Sequence, residues 1–234
     1  MTTSYANPYT LAADAAPSDR AAFIRSTYTH LGIAILAFIG VEWFLLQQSW
    51  TPMLIEKMMG FGWLLVMGLF MGVSFIADRL ARSETSKGVQ YGGLGLFIVA
   101  EAFVFLPLLY FAAFKSGEGA LLFTKAGITT GAIFAALTAT AFITRKDFSF
   151  LRSILVFGGF IALGLIVCSI LFGFTLGTIF AGAMALFAGV AILYSTSNII
   201  HHYRTDQSVS AALSLFSSVA LLFYYILQLF MSRD

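Results

Sequence analysis

The sequence predicts an all-α integral membrane protein, folded as one bundle of seven membrane-spanning helices. Of its 234 residues, 59% are apolar and 10% are charged, and the mean hydropathy is +0.91. Soluble domains carry about 25% charged residues, so this composition excludes that class. The apolar residues also fall into seven runs, each close to the roughly 20 residues that a helix needs to cross a bilayer.

The seven runs set the expected boundaries of the spans. They cover residues 27–46, 61–77, 89–113, 121–143, 151–172, 176–200 and 209–231. The second run is short and could begin at Met58. Only Gly173, Phe174 and Thr175 separate the fifth run from the sixth, which requires a tight turn between two antiparallel helices.

Residues 1–26 precede the first run and are mostly polar or small, with Pro8 and Pro17 among them. They contain no apolar stretch of the signal-peptide type, so we expect a flexible cytoplasmic tail. We expect residues 27–234 to form a single domain, because neither an internal repeat nor a long linker divides them.

Lysine and arginine are distributed unevenly among the loops, which predicts the orientation of the bundle. Nine lie in the N-terminal tail and in the second, fourth and sixth loops, whereas four lie in the other loops and at the C-terminus. Cytoplasmic loops retain positive charge. We therefore expect a multi-pass protein of the inner (plasma) membrane, with its N-terminus in the cytoplasm and its C-terminus outside.

The last two spans carry polar side chains within runs that otherwise suit lipid. The sixth run ends with Ser195, Thr196, Ser197 and Asn198. Four serines of the seventh run follow the spacing i, i+4, i+7 and i+8, which is one face of a helix: Ser210, Ser214, Ser217 and Ser218. This face needs hydrogen-bond partners that lipid cannot offer. We therefore expect the seventh helix at the centre of the bundle.

Two acidic residues lie inside spans, where ionisable groups cost a few kcal/mol and usually face the bundle interior. Glu101 lies near the middle of the third run, so it either lines an ion path or serves as a buried structural acid. Glu42 precedes Trp43, a pair that suits an anchor at the membrane interface. We predict Glu101 to be the main titrating, pH-sensing group of a cavity, with Glu42 as a second-tier candidate. The other predicted lining residues of that cavity are Ser195, Asn198, Ser214 and Ser218.

His201 and His202 end the sixth run, where a cation interacts favourably with the helix dipole. A capping or surface role is preferred for both, with His201 a second-tier candidate for the ion path. Adjacent histidines without a nearby acid or cysteine do not form a metal site, and the sole cysteine, Cys168, lies in an apolar run.

The remaining sequence patterns bear on catalysis and partners. Nucleophile–base sets and phosphate-binding glycine loops are not evident, so we expect no enzyme activity, no cofactor and no bound metal. The formal charge of +2 and the lack of a long basic run argue against nucleic acid as a partner. The lipid bilayer is the expected surrounding.

Glycine pairs four residues apart occur in two of the spans. Gly68 with Gly72, and Gly127 with Gly131, have the spacing that lets helix backbones approach closely in membranes. We expect tight helix packing at both pairs.

Three stretches of the chain resemble the Bax inhibitor, or transmembrane Bax-inhibitor-motif, family. They are IRSTY at 24–28, TRKDFSF at 144–150 and STSNIIH at 195–201. The resemblance covers about residues 20–234, is strongest from Ala141 onward, and is closest to the bacterial YccA-like branch. It implies a bundle of seven helices in which the first six surround the last one. It also implies a pore-like cavity within the bundle.

The family resemblance also implies a function. Members are linked to a pH-sensitive calcium leak, gated by a pair of acids that correspond by position to Ser195 and Ser218. Hydroxyls do not exchange protons near neutral pH as carboxyls do, so Glu101 is the expected replacement in a leak for calcium, other cations or protons. The bacterial branch is also associated with the membrane-bound protease FtsH. The alternative is therefore an interaction protein that modulates an FtsH-type protease; a substrate transporter has less support, since no inverted repeat is evident.

Overall fold

The computed structural model of the protein describes residues 10–84, 86–115, 117 and 119–232. Within these residues the secondary structure consists of eight α-helices and one isolated β-bridge. The first four helices are α1 (Pro17–Leu46), α2 (Thr51–Met58), α3 (Phe61–Ala81) and α4 (Lys87–Phe114). The last four are α5 (Gly119–Thr144), α6 (Leu151–Phe172), α7 (Gly177–His201) and α8 (Ser208–Met231).

Seven of these helices are long and apolar enough to cross a membrane, and only the short α2 is not. The predicted all-α membrane bundle with seven spans is therefore confirmed. Helix α6 has the predicted bounds, and those of α4, α5, α7 and α8 differ from the predicted ones by at most two residues. The tight turn after α6 is present, since Gly173 caps the helix with a φ of 70°, a left-handed conformation that glycine adopts without strain.

Helix α1 begins at Pro17, well before the predicted start at residue 27. Proline suits the first turn of a helix because its fixed φ is already helical, and Asp19 in that turn complements the helix dipole. Residues 17–26, which we expected to belong to a flexible tail, are therefore helical, and Phe23 is buried. Residues 1–9, including Pro8, lie outside the described part of the chain.

The segment before α1 is attached to the loop between α7 and α8. The Ala12 N–H donates to the Tyr203 carbonyl oxygen at 2.8 Å, and the Thr205 N–H donates to the Thr10 carbonyl oxygen at 3.1 Å. The Arg20 guanidinium then donates to the Ala12 carbonyl oxygen at 2.6 Å. These bonds place the N-terminal segment at the same end of the bundle as the α7–α8 loop, which we call the loop end.

Helix α8 occupies the centre of the bundle, as predicted. It contacts α1, α3, α4, α5 and α7. In its most apolar stretch 67% of the residues are buried, compared with 6% for the peripheral helix α6. Large side chains along its whole length are completely enclosed: Val209, Leu215, Phe216, Leu222 and Leu227.

The closest contact between two membrane-spanning helices at a glycine lies at Gly93, and not at the predicted glycine pairs. A Cβ atom on Gly93 of α4 would lie 2.6 Å from the Ala77 carbonyl oxygen of α3, so a larger residue would push these helices apart. At the four predicted glycines an added Cβ would meet no atom of the described residues within 4 Å: Gly68, Gly72, Gly127 and Gly131. The prediction for those pairs is wrong, because spacing alone does not show which face of a helix meets a neighbour.

Candidate functional site

Three of the predicted serines meet between α7 and α8. The Ser195 hydroxyl oxygen lies 3.1 Å from that of Ser214 and 3.2 Å from that of Ser218. Ser218 also donates to the Ser214 carbonyl oxygen at 3.0 Å. The short loop makes α7 and α8 antiparallel neighbours, so the hydroxyls satisfy one another where lipid could not. Their placement follows the predicted serine face, while their part in an ion path remains a prediction.

A cavity of about 330 Å³ adjoins these serines, and we call it the central cavity. Asp78 of α3 and Arg82, the residue that follows α3, lie on its wall, and neither was among the predicted lining residues. The Arg82 Nε atom lies 2.9 Å and 2.8 Å from the two carboxylate oxygens of Asp78. The hydropathy pattern predicted that the second span ends at residue 77, whereas the helix continues to Ala81. This extension places Asp78 and the following Arg82 at the cavity of the serines.

A second cavity of about 490 Å³ lies at the loop end, and we call it the loop-end cavity. Asn198 lines this cavity and not the central cavity, although we predicted that it would share one cavity with the serines. All the lining side chains can donate a hydrogen bond: Arg82, Ser149, Arg152, Tyr194, Asn198, His202, Tyr203 and Gln207.

The two histidines at the end of α7 differ in their surroundings. His202 Nε2 lies 3.1 Å from a carboxylate oxygen of Asp147, a contact 55 residues apart in the chain that the sequence did not reveal. The Ser149 backbone N–H, together with His202, lowers the pKa of Asp147. The Nε2 atom of His201 has no hydrogen-bond partner among the described residues. Among all the described residues, no cluster of His, Cys, Asp and Glu is suited to hold a metal ion.

Glu101 lines a third cavity of about 520 Å³, which we call the acidic cavity. We expected Glu101 and the serines in one cavity, and the structure divides them between two. Phe187 and Leu221 lie on the walls of both the acidic and the central cavities, and thus stand between them. The rotation of α4 relative to α7 decides which cavity Glu101 faces, and a sequence pattern does not fix that rotation.

Glu42 of α1 is buried near Glu101. Its side chain is 3% exposed, and the two carboxyl groups are close enough to interact electrostatically. Both carboxyl oxygens of Glu42 and Oε2 of Glu101 have no hydrogen-bond partner among the described residues. The predicted interfacial role of Glu42 is therefore wrong: only Trp43 faces outward, because adjacent residues point about 100° apart around a helix.

The three cavities share walls and form a series. Arg82 and Tyr194 belong to both the loop-end and the central cavities, and Phe187 and Leu221 belong to both the central and the acidic cavities. The series therefore extends from the loop end, past the serines, to Glu101 near the middle of α4.

Known proteins share the sequence over nearly the whole chain. The family model "Inhibitor of apoptosis-promoting Bax1" matches residues 20–234. An uncharacterized protein of Pseudomonas aeruginosa is 29% identical over 213 residues, which cover 88% of this chain and 87% of the relative. Protein LIFEGUARD 4 of Arabidopsis thaliana is 30% identical over 232 residues, covering 93% of this chain and 87% of the relative. Protein LIFEGUARD 2 of the same species is 31% identical over 227 residues, covering 93% and 90%. The chain with the serine cluster and the three cavities therefore belongs to the Bax inhibitor family.

Proposed function

We propose that this protein is a pH-modulated leak for cations, such as calcium, or for protons, and that the present conformation is closed. The observation that carries the proposal is the series of three cavities with shared walls. Such a series provides part of a path through the bundle, and the path is interrupted where the walls meet. Two boundaries need to open for an ion or proton to pass from the loop end to Glu101.

The first boundary is polar and contains Arg82 and Tyr194. Arg82 is paired with Asp78, so its charge is balanced in the closed conformation. If the pair separates, the Asp78 carboxylate faces the cavity of the serines, where it can attract a cation. The hydroxyls of Ser195, Ser214 and Ser218 can both donate and accept hydrogen bonds, and thus replace part of an ion's hydration shell or relay a proton.

The second boundary is apolar and consists of Phe187 and Leu221. Apolar constrictions close a path by excluding water, without a physical plug. A small outward movement of either side chain would let water connect the central cavity to the acidic cavity.

Glu101 provides the pH dependence in this proposal. The titratable side chains near it are Glu42 from α1, and Tyr224 and Tyr225, which line the acidic cavity. A dry cavity favours the neutral carboxyl and a hydrated cavity favours the carboxylate. The closed form thus binds the proton more tightly, so lowering the pH favours closure and raising it favours the open form.

Flux through liposomes containing the purified protein tests the proposal, with dyes for calcium, potassium and protons. We expect flux that rises with pH, and we expect Glu101→Gln to abolish the pH dependence because it removes the proton site at nearly constant shape. Ile179→Ala is the control, since Ile179 on α7 is 90% exposed and lines none of the three cavities. Unchanged pH dependence in Glu101→Gln would reduce this residue to a structural acid. An absence of flux for every ion, with recovery of an FtsH-type protease in complex with the chain, would favour the alternative function.

A further inference from the structure

The acidic cavity combines apolar walls with a buried acid. Its volume of about 520 Å³ lies within the range of about 300–1,000 Å³ that is usual for small-molecule sites. The walls are rich in aromatic and methionine side chains, including Trp63, Met67, Phe70, Phe105, Phe180 and Met184. These side chains suit an apolar molecule and offer few ligands to a metal ion, since calcium requires six to eight oxygens.

Glu101, the acid of this cavity, faces no basic side chain among the described lining residues. Glu101 is 6% exposed, and its Oε2 atom has no hydrogen-bond partner among the described residues. Among the residues that line the cavity none is Lys, Arg or His. Glu42 adds a second carboxyl nearby, with both oxygens equally unpartnered within the described chain. A positive charge that pairs with a Glu101 carboxylate would therefore have to come from a bound molecule.

We propose that the acidic cavity binds a lipophilic amine, a molecule with one ammonium group and an apolar body. The ammonium would donate hydrogen bonds to Glu101 and to the side-chain oxygen of Gln228, which lines the cavity and also lacks a partner in the described residues. The ring of Phe105 or Tyr224 can stack against the cation. The apolar body fills the space between the aromatic and methionine side chains.

The cavity is accessible from the lipid-facing side of the bundle. Met71 of α3 lies on its wall and is 51% exposed, so the wall reaches the outer surface of the helix. Lipophilic amines concentrate in bilayers, and one can enter sideways between α3 and α6 without crossing the serine cluster. This site shares Glu101 with the proposed leak, and an amine bound there would occupy one end of the cavity series, but binding of the amine does not require ion flux.

A matched pair of ligands tests the site: 4-(4-bromophenyl)butan-1-amine and 4-(4-bromophenyl)butan-1-ol. They share the apolar body and differ only in the charged group. Bromine quenches tryptophan fluorescence at contact, and Trp63 on the cavity wall is the reporter once Trp43→Phe and Trp50→Phe remove the other two tryptophans. The protein is held in nanodiscs, and the saturable part of the quenching gives the affinity.

We expect the amine to bind at least about tenfold more tightly than the alcohol, a difference of about 1.4 kcal/mol. Glu101→Gln should remove that preference while leaving the alcohol affinity unchanged, and Ile179→Ala should change neither. Gel filtration and thermal unfolding verify that Glu101→Gln is folded. If that variant does not fold, Ala162→Phe, which fills the cavity from α6 without adding a tryptophan, should abolish binding of both ligands.

Two outcomes would overturn the proposal. Saturable binding of both ligands with equal affinity would show a site for apolar molecules, such as a lipid acyl chain, that does not recognise charge. No saturable quenching by either ligand would show that the cavity takes no such molecule. Both outcomes are independent of ion flux, so failure of the leak proposal and failure of this one are distinguishable.

Discussion

Ser195, Ser214 and Ser218 hydrogen-bond with one another, whereas Glu42 and Glu101 have oxygens without a partner in the described structure. The serines contribute to stability because the hydroxyl of each has a hydrogen-bond partner within the cluster and does not need water as a partner. The carboxyls oppose stability, since a buried polar group without a partner keeps its full desolvation cost. Unpartnered acids inside a membrane bundle therefore point to a role beyond folding.

The serine cluster leads to a prediction for Ser195→Ala. This change removes two hydrogen bonds and leaves Ser214 and Ser218 with fewer partners, so we expect a loss of about 1 kcal/mol, given about 0.6 kcal/mol for an average hydrogen bond between membrane helices. Thermal unfolding in detergent measures it. Ser153→Ala on the surface of α6 is the matched control. Equal stability of the two variants would mean that the cluster does not hold α7 and α8 together.

Glu42→Leu should change stability in the opposite direction. Replacing an unpartnered buried carboxyl by an apolar side chain of similar size removes its desolvation cost, about 1–3 kcal/mol, and should raise the melting temperature. Glu42→Gln is the comparison, because it removes the charge and keeps a polar group in the same place. A lower melting temperature for Glu42→Leu would indicate that the carboxyl has a partner, such as an ordered water.

The sequence was sufficient to predict the positions of residues that depend only on one helix and on the helix next to it in the chain. Helical spacing alone put Ser214 and Ser218 on one face, and the short loop brought Ser195 to them. The Asp78–Arg82 pair was missed because charged residues end a hydropathy segment even when the helix continues. The proximity of Glu42 to Glu101 depends on the rotations of α1 and α4, which no local pattern specifies.

Helices α3 and α4 form the closest contact between spans at a helical glycine. An added Cβ on Gly93 would lie 2.6 Å from the Ala77 carbonyl oxygen and 2.6 Å from the Ala81 nitrogen, both backbone atoms that cannot rotate away. The helices must separate to admit it. Apolar length predicted both helices, but the face on which they meet is set by packing against α8.

Gly93→Ala tests this contact against a control in the same pair of helices. We expect a loss of about 1–3 kcal/mol, as overpacking usually costs, measured by thermal unfolding in detergent. Gly68→Ala should be neutral or stabilise by up to about 1 kcal/mol, because alanine favours the helix and an added Cβ meets no described atom within 4 Å. Destabilisation of Gly68→Ala as large as that of Gly93→Ala would show that Gly68 packs against another copy of the chain.

For the whole molecule, the structure brings the basic loops together at the loop end. Lys87 donates to the Asp206 carbonyl oxygen at 2.8 Å, and Arg204 pairs with Glu84 at 2.7 Å, so the second and sixth loops are joined. Arg20 lies at the same end because the N-terminal segment binds the α7–α8 loop. The hydropathy pattern was enough to predict the number of spans, because that number depends on averages over many residues. The central position of the last helix was predicted from its serine face.

The grouping of basic residues at the loop end predicts the orientation of the bundle in the membrane. Positive loops are retained in the cytoplasm, so we expect the loop end to be cytoplasmic and the C-terminus, seven spans later, to be external. The final residues Arg233 and Asp234 lie outside the described part of the chain. A phosphatase that is active only outside the cytoplasm should be active when fused after Asp234, and a fluorescent protein that matures only inside should be dark there. The same reporters fused after Gln207, before α8, should give the reverse result. Fluorescence from the fusion after Asp234 would show that the bundle has the opposite orientation. The serine cluster and the loop-end cavity would then lie on the external side.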